Sequence, residues 1–138
     1  MSFNDGICEN GKFLIFSLQN NFYAVSVEFV VKLATGFRVT TLPKTPNYFE
    51  GITSFNGEVI PVINLEKFIE KVDSGESKYF VVISANDNLL ALKVRFVWDI
   101  VSISNWRQKA DSILIAESSY RQKELFLIDV EKMVSLLL

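Results

Sequence analysis

The chain has 138 residues, a net charge of −2 at pH 7 and no histidine. Its length suits one domain, and its charge balance leaves no basic surface for nucleic acid. The absence of histidine removes the usual base of serine and cysteine hydrolases and the commonest metal ligand, so we expect neither an enzyme nor a cofactor.

Residues 1–11 are polar, and we expect a flexible tail before a single domain at 12–138. The tail has no basic segment followed by an apolar stretch, and the chain has no apolar run of 18 residues or more. We therefore expect a cytoplasmic protein without direct membrane insertion. Cys8 is the single cysteine, which excludes an internal disulfide and suggests a free thiol.

Alternating apolar residues dominate the first third of the chain. Residues 13–18 and 22–27 alternate on either side of Asn20-Asn21, which predicts a first hairpin. Valines at three- and four-residue spacing predict a short helix over 27–33. Residues 37–42 are predicted as a third strand that the following proline ends.

The strongest local signal is the pair Asn56-Gly57 between the apolar runs 51–55 and 59–63. Both central residues of a type I′ turn need positive φ, which Asn and Gly tolerate best. The sequence therefore predicts a hairpin with an exposed tip at this pair.

The second half repeats the pattern of short strands and turns. Residues 65–71 have the spacing of a two-turn helix, with Asn64 as its N-cap. Residues 79–85 and 89–94 are predicted as another hairpin around Asn86-Asp87-Asn88. Further strands are predicted at 97–103, 113–116 and 125–128, and a closing helix at 130–138. Many short strands with few helices favour small β-barrels.

Four side chains invite a chemical or binding role. Glu66 and Glu70 share a helix face, and a solvated face explains them better than a carboxylate-dependent hydrolase. Trp98 is expected in the core, with an interface anchor as the alternative. Trp106 lies in a polar stretch, where it is either a surface anchor or a staple for the loop.

The stretch from Leu42 to Leu65 carries a family resemblance. It holds all three prolines, Gly51-Ile52, Gly57 and the run from Val59 to Leu65, in one ungapped register. This pattern resembles the signature of the CheW-like coupling proteins of bacterial chemotaxis. Weaker similarity extends to residues 13–18, 23–27, 81–83 and 125–130. The resemblance implies a mainly β fold of two packed, SH3-like, five-stranded barrels, between which the chain crosses near the proline-rich corner.

In function, the resemblance implies a non-catalytic adaptor. One surface would bind the regulatory domain of a CheA-type histidine kinase, and another the cytoplasmic tip of methyl-accepting chemoreceptors, which would recruit the protein to membrane receptor arrays. The alternative is a small barrel that binds an oligonucleotide or another ligand. Its stacking aromatics are present, but its basic groove is missing.

The resemblance also marks individual positions. Val30 and Ile100 fall where the family has apolar receptor-groove residues. We therefore expect receptor contact at the seam between the barrels, near Val30, Val31 and the Asn56 tip, with Ile100 and Val101 on the facing strand. Lys32 stands where the family often has a glutamate, and Asn56 where it has an arginine; Asn56 marks either changed partner choice or simply a good turn residue. The candidate interface residues are Val30, Val31, Lys32, Asn56, Gly57, Ile100 and Val101, and the structural positions of the motif are Pro43, Pro46, Gly51 and Pro61.

Overall fold

A computed structural model describes residues 11–109 and 112–138 of the chain. Within these ranges the strands are β1 Lys12–Ser17, β2 Phe22–Ser26, β3 Val30–Thr35, β4 Phe49–Phe55, β5 Glu58–Asn64, β6 Tyr79–Ala85, β7 Asn88–Val94, β8 Phe96–Ser102, β9 Arg107–Gln108, β10 Leu114–Tyr120 and β11 Lys123–Ile128. The helical segments are a 3-10 turn at Val27–Phe29, a π-helix at Glu66–Glu70 and α1 at Val130–Leu137. Cys8 and all but the last residue of the predicted tail lie outside the described residues.

The strands form two sheets, which confirms the predicted fold class. The first sheet has the order β8-β1-β2-β11-β10-β9, and the second has the order β3-β6-β7-β5-β4. The two-residue β9 gives the first sheet its sixth strand. The chain enters the second sheet through the 3-10 turn and returns to the first at Arg95. The crossing predicted near the proline-rich corner is therefore wrong, because that corner joins β3 to β4 within the second sheet.

Three apolar clusters result from strand alternation. In β6, Val81 and Ile83 lie in a large core between the two sheets, whereas Phe80 and Val82 lie in the interior of the second sheet. The first sheet has an interior cluster of its own. Helix α1 buries Met133 in the core between the sheets. Each sheet is thus apolar on both faces, and the two halves share one core.

Two predicted hairpin turns are confirmed. Asn56 and Gly57 have φ of 49° and 82°, and they join β4 to β5. Asn86 and Asp87 have φ of 53° and 62°, and they join β6 to β7. Both pairs occupy the left-handed region that a type I′ turn requires.

Two local predictions between residues 27 and 42 are wrong. The helix predicted at 27–33 is only the 3-10 turn Val27–Phe29, after which β3 pairs with β6. The β-branched valines favour a strand, and pairing with β6 outweighs their helical spacing. The strand predicted at 37–42 is reduced to one bridge between Thr40 and Ile52.

The helix predicted after Asn64 is present as a π-helix. The N–H of Lys67 donates to Asn64 Oδ1 at 3.1 Å, so the predicted cap is confirmed. The solvated carboxylate face is wrong. Glu66 is buried and lies 3.2 Å from the Arg95 guanidinium, and Glu70 accepts a 2.8 Å hydrogen bond from the Tyr23 hydroxyl. Burial above all raises the pKa of that hydroxyl, which therefore stays a donor.

The two tryptophans have opposite environments. Trp98 is 40% exposed on β8, so its predicted core position is wrong. Trp106 is buried in the interior of the first sheet, with its ring 5.2 Å from that of Phe13 in an edge contact. Of the two roles predicted for Trp106, the structure supports the staple for the loop and not the surface anchor.

The proline-rich corner is shaped by close backbone contact. Thr40 and Ile52 exchange two backbone hydrogen bonds of 2.8 and 2.9 Å. A Cβ at Gly51, which has φ of 144°, would lie 2.1 Å from the Thr40 carbonyl oxygen. Only glycine fits this crossing of two backbones.

The prolines surround this crossing. Pro43 precedes Lys44, whose φ is 59°, and the Pro46 carbonyl accepts a 3.0 Å hydrogen bond from the N–H of Phe49 at the start of β4. Pro61 lies opposite Ile52 in the ladder of β4 and β5. These residues turn the chain into β4.

Candidate functional site

Strands β3 and β8 are edge strands on either side of the core between the sheets. β3 has β6 as its one neighbour, and β8 has β1. Val30 of β3 and Val97 of β8 both pack against the core between the sheets. The two strands therefore border one seam, and each leaves an unpaired backbone edge.

Three aliphatic side chains remain exposed along this seam. Val31, Leu33 and Ile100 are 48%, 43% and 55% exposed. Leu33 pairs with Val81, and Ile100 pairs with Leu14, and both partners lie in the core between the sheets. Because paired residues of antiparallel strands share a face, Leu33 and Ile100 extend that core toward solvent. We call Val31, Leu33 and Ile100 the seam strip.

The structure separates the candidates predicted for this groove. Val30 is half-buried and packs against the core, and Lys32 is exposed on the edge strand next to Val31. Val101 packs against the interior of the first sheet, so it lies on the other face from Ile100. Sequence reasoning missed Leu33, whose only signal was an apolar residue three positions after Val30.

The Asn56-Gly57 tip, which was predicted beside this seam, forms a different surface. It joins β5 to β4, the strand at the opposite edge of the second sheet from β3. Both tip residues are exposed, and Val59 next to them is 69% exposed. Asn56 has a left-handed φ that asparagine tolerates well, which agrees with a turn role, and changed partner choice stays a prediction.

An ion pair fixes the point where the chain enters β8. The Arg95 guanidinium lies 3.2 Å from Glu66 Oε1 and donates to the carbonyls of Gly75 and Glu76 at 3.0 and 2.8 Å. The N–H of Ser74 donates to the same carboxylate at 2.9 Å. Burial opposes the charge of Glu66, but the hydrogen bonds from Ser74 and Arg95 outweigh it and hold its pKa below its usual value.

A second ion pair joins strands β7 and β4 of the second sheet. Lys93 Nζ of β7 lies 3.0 Å from Glu50 Oε1 of β4, and the Asn64 amide donates to the same oxygen at 3.0 Å. Burial raises the pKa of Glu50, but the hydrogen bonds from Asn64 and Lys93 lower it by more. The pKa of Glu50 in the folded chain is therefore below its usual value. Both networks set strand positions and leave no carboxylate pair free for proton transfer.

The described residues offer a surface for docking more than a site for chemistry. They contain no group of three or more His, Cys, Asp or Glu side chains placed to hold a metal ion. None of the helices in the described ranges is long and apolar enough to span a membrane. Exposed aliphatics on edge strands can bind a partner through apolar burial and backbone pairing.

Comparison with known proteins agrees with this geometry. Residues 12–136 match the model of the CheW-like domain family. The chain belongs to the CheW-like family. It is 26% identical over 135 residues to the chemotaxis protein CheW of Klebsiella aerogenes, covering 90% of this chain and 81% of that protein.

Other relatives cover smaller parts. Chemotaxis protein CheW of Treponema pallidum is 26% identical over 110 residues, 75% of this chain and 63% of its own. Protein FrzA of Myxococcus xanthus is 33% identical over 60 residues, 44% of this chain and 38% of its own. The crystal structure of the scaffolding protein TtCheW from Thermoanaerobacter tengcongensis superposes with a TM-score of 0.79 at 22% identity, over 86% of this chain and 88% of that one.

These findings confirm two predictions made from the sequence. The fold is that of the CheW scaffold, and the chain is a chemotaxis coupling adaptor of that family. Nothing among these relatives favours the oligonucleotide-binding alternative.

Proposed function

We propose that the chain couples chemoreceptors to a CheA-type histidine kinase without catalytic activity of its own. It binds the regulatory domain of the kinase and the cytoplasmic tip of methyl-accepting receptors, and it works in the cytoplasm at membrane receptor arrays. The observation that carries this proposal is the seam strip, where three exposed aliphatics lie on edge strands of two different sheets.

The seam strip suits the helical tip of a receptor. Apolar residues of a helix can lie between two edge strands and cover the exposed faces of Leu33 and Ile100. Burying what remains exposed of three aliphatic side chains contributes on the order of 2–4 kcal/mol. A single contact of this size is weak, which suits an adaptor whose assembly relies on several interfaces.

The hairpin tip leaves a second surface for the kinase. It lies at the other edge of the second sheet and presents Asn56, Gly57 and Val59 to solvent. Because this surface and the seam strip occupy different edges, both partners can bind at once. The proposal assigns the receptor to the seam and the kinase to the tip.

Ile100→Ser tests the receptor surface. We expect receptor-tip binding, measured by calorimetry, to weaken about 5- to 30-fold, because serine removes ~1–2 kcal/mol of apolar burial. Binding of the kinase regulatory domain and the melting temperature should stay nearly unchanged. Leu136→Ser is the matched control, since Leu136 is 57% exposed on α1 and belongs to neither edge strand.

Val30→Ser separates the seam from the core. Val30 packs against the core between the sheets, so a buried hydroxyl should lower stability by roughly 1–3 kcal/mol. Unchanged receptor binding by the Ile100→Ser protein would show that the receptor docks elsewhere.

A further inference from the structure

Five aromatic rings form a continuous row that joins the two sheets. Tyr79 of β6 contacts Phe96, Phe96 contacts Trp98, and Phe22 of β2 lies between Trp98 and Tyr120. Ring centroids are 5.0 to 5.4 Å apart, and each pair is edge-to-face at 75° to 84°. We call these five residues the aromatic row.

The centre of the row is both exposed and fixed. Phe96 and Trp98 are each 40% exposed, side by side on the edge strand β8. Trp98 lies at the irregularity where the register of β8 against β1 shifts, and its indole N–H donates to Ser17 Oγ at 3.0 Å. Two large aromatics held rigid at the surface are typical of binding anchors, since little side-chain entropy is lost when a partner covers them.

Two cations lie against the row, and Arg121 reaches from its Tyr120 end to Trp98 in the middle. The Arg121 guanidinium carbon is 5.0 Å from the Trp98 centroid and 5.5 Å from that of Tyr120. Lys78 Nζ is 5.7 Å from the centroid of Tyr79 at the other end. Neither cation belongs to the four ion pairs found among the described residues. A hydrogen bond with Tyr120 raises the pKa of the Arg121 guanidinium, and Asp99 of β8 raises it further through electrostatic attraction.

The backbone that carries Arg121 is unusual. Arg121 and Gln122 have φ of 51° and 66° in the turn between β10 and β11. The two other turns with successive left-handed residues have Asn56-Gly57 and Asn86-Asp87 at these positions. A long side chain in the left-handed region is less favourable than asparagine or glycine there. The left-handed backbone of Arg121 therefore makes this turn less stable, and the same residue holds its guanidinium over Trp98.

We propose that the aromatic row is a docking surface for an acidic segment of a partner protein. The segment places apolar side chains on Phe96 and Trp98 and a carboxylate at each end, against Lys78 and Arg121. The ring contacts limit the row to about 20 Å, which about 14 residues of helix or 6 of strand would cover. The inference goes beyond receptor and kinase coupling and does not depend on it.

Charge and ring geometry favour this occupant over single-stranded nucleic acid. Base stacking needs open ring faces and a basic groove along the strand. Here the rings contact one another edge-to-face, Phe22 is buried, and the row has two cations in a chain of net charge −2. Carboxylates at two fixed points match the charges that are present.

The test uses a fluorescein-labelled 14-residue helical peptide with leucines on one face and glutamates in its first and last turns. We expect the full chain to bind it with a Kd of about 10–100 µM by anisotropy, with a shift in the emission of exposed Trp98. A peptide with lysines in place of the glutamates should bind at least ~10-fold more weakly. Arg121→Gln should lose ~3-fold or more, and Trp98→Ala more still.

Controls and contrary outcomes are defined by the same assay. Arg38→Gln removes another exposed arginine and should not change binding, and neither should Ile100→Ser in the seam strip. The proposal is overturned by equal binding of the two peptides, by binding that Trp98→Ala leaves intact, or by no binding below 1 mM, a threshold of about −4 kcal/mol. Tighter binding of an oligo-dT probe, or a dimer of this chain that Trp98→Ala abolishes, would assign the row to a different occupant and overturn it as well. Failure here leaves the coupling function untouched, because the peptides contain no receptor or kinase sequence.

Discussion

At the scale of single residues, two glycines with positive φ differ in what surrounds them. A Cβ at Gly51 would lie 2.1 Å from the Thr40 carbonyl oxygen, whereas a Cβ at Gly57 would meet nothing within 4 Å. Gly51→Ala should therefore lower the free energy of unfolding by more than ~3 kcal/mol, since backbone strain and a steric clash combine.

Gly57→Ala provides the matched control for that substitution. It introduces the same methyl group at φ of 82° into open space, so we expect a cost of about 1 kcal/mol from the backbone alone. Urea denaturation of both variants measures the difference. Equal losses would show that the close contact at Thr40 does not constrain the corner.

At the scale of elements, the Glu66–Arg95 pair fastens the π-helix to the entrance of β8. Glu66 is buried, and Arg95 also holds the carbonyls of Gly75 and Glu76. Arg95→Met should cost ~3–5 kcal/mol, because it leaves a buried carboxylate without its cation. It should also speed amide exchange in the loop at 72–77.

A double variant tests whether the unpaired charge is the cause of that loss. Glu66→Gln together with Arg95→Met removes both charges and should recover part of the stability lost by Arg95→Met alone. Thermal unfolding of the wild type, both single variants and the double variant completes the cycle. Strictly additive losses would mean that the two side chains do not interact.

Elements fixed by neighbouring residues could be predicted from the sequence, and elements fixed by distant partners could not. The turns at Asn56-Gly57 and Asn86-Asp87 need only their own dihedral preferences. β3 forms because it pairs with β6, about 50 residues later, and no local signal at Val30–Thr35 reveals that pairing. The same limitation explains the misplaced crossing between the two halves.

At the scale of the whole molecule, the candidate site shows the same limit. Val31 and Ile100 were predicted at the seam and are exposed beside it, but Val101 faces the other way and Leu33 was missed. Ile100 and Val101 follow each other in β8, so strand alternation places them on opposite faces, but which of the two faces the core between the sheets depends on pairing with the distant strand β1. Trp98 lies where the register of β8 against β1 shifts, and the sequence contains no local signal for that shift.

The response of the whole molecule to acid follows from its carboxylates. The folded chain lowers the pKa of Glu50 and Glu66 below the usual 4.5, so both groups favour folding when charged. Their contribution is present above pH 4.5 and is lost as the pH falls through the lower values of the folded state. Because the chain has no histidine, we expect the free energy of unfolding to be nearly flat from pH 7 to about 5.5 and to decline below 4.5.

Urea titrations across this range measure the profile. Glu50→Gln should make the acid decline shallower, and a decline that begins near pH 6.5 would contradict the assignment to these carboxylates.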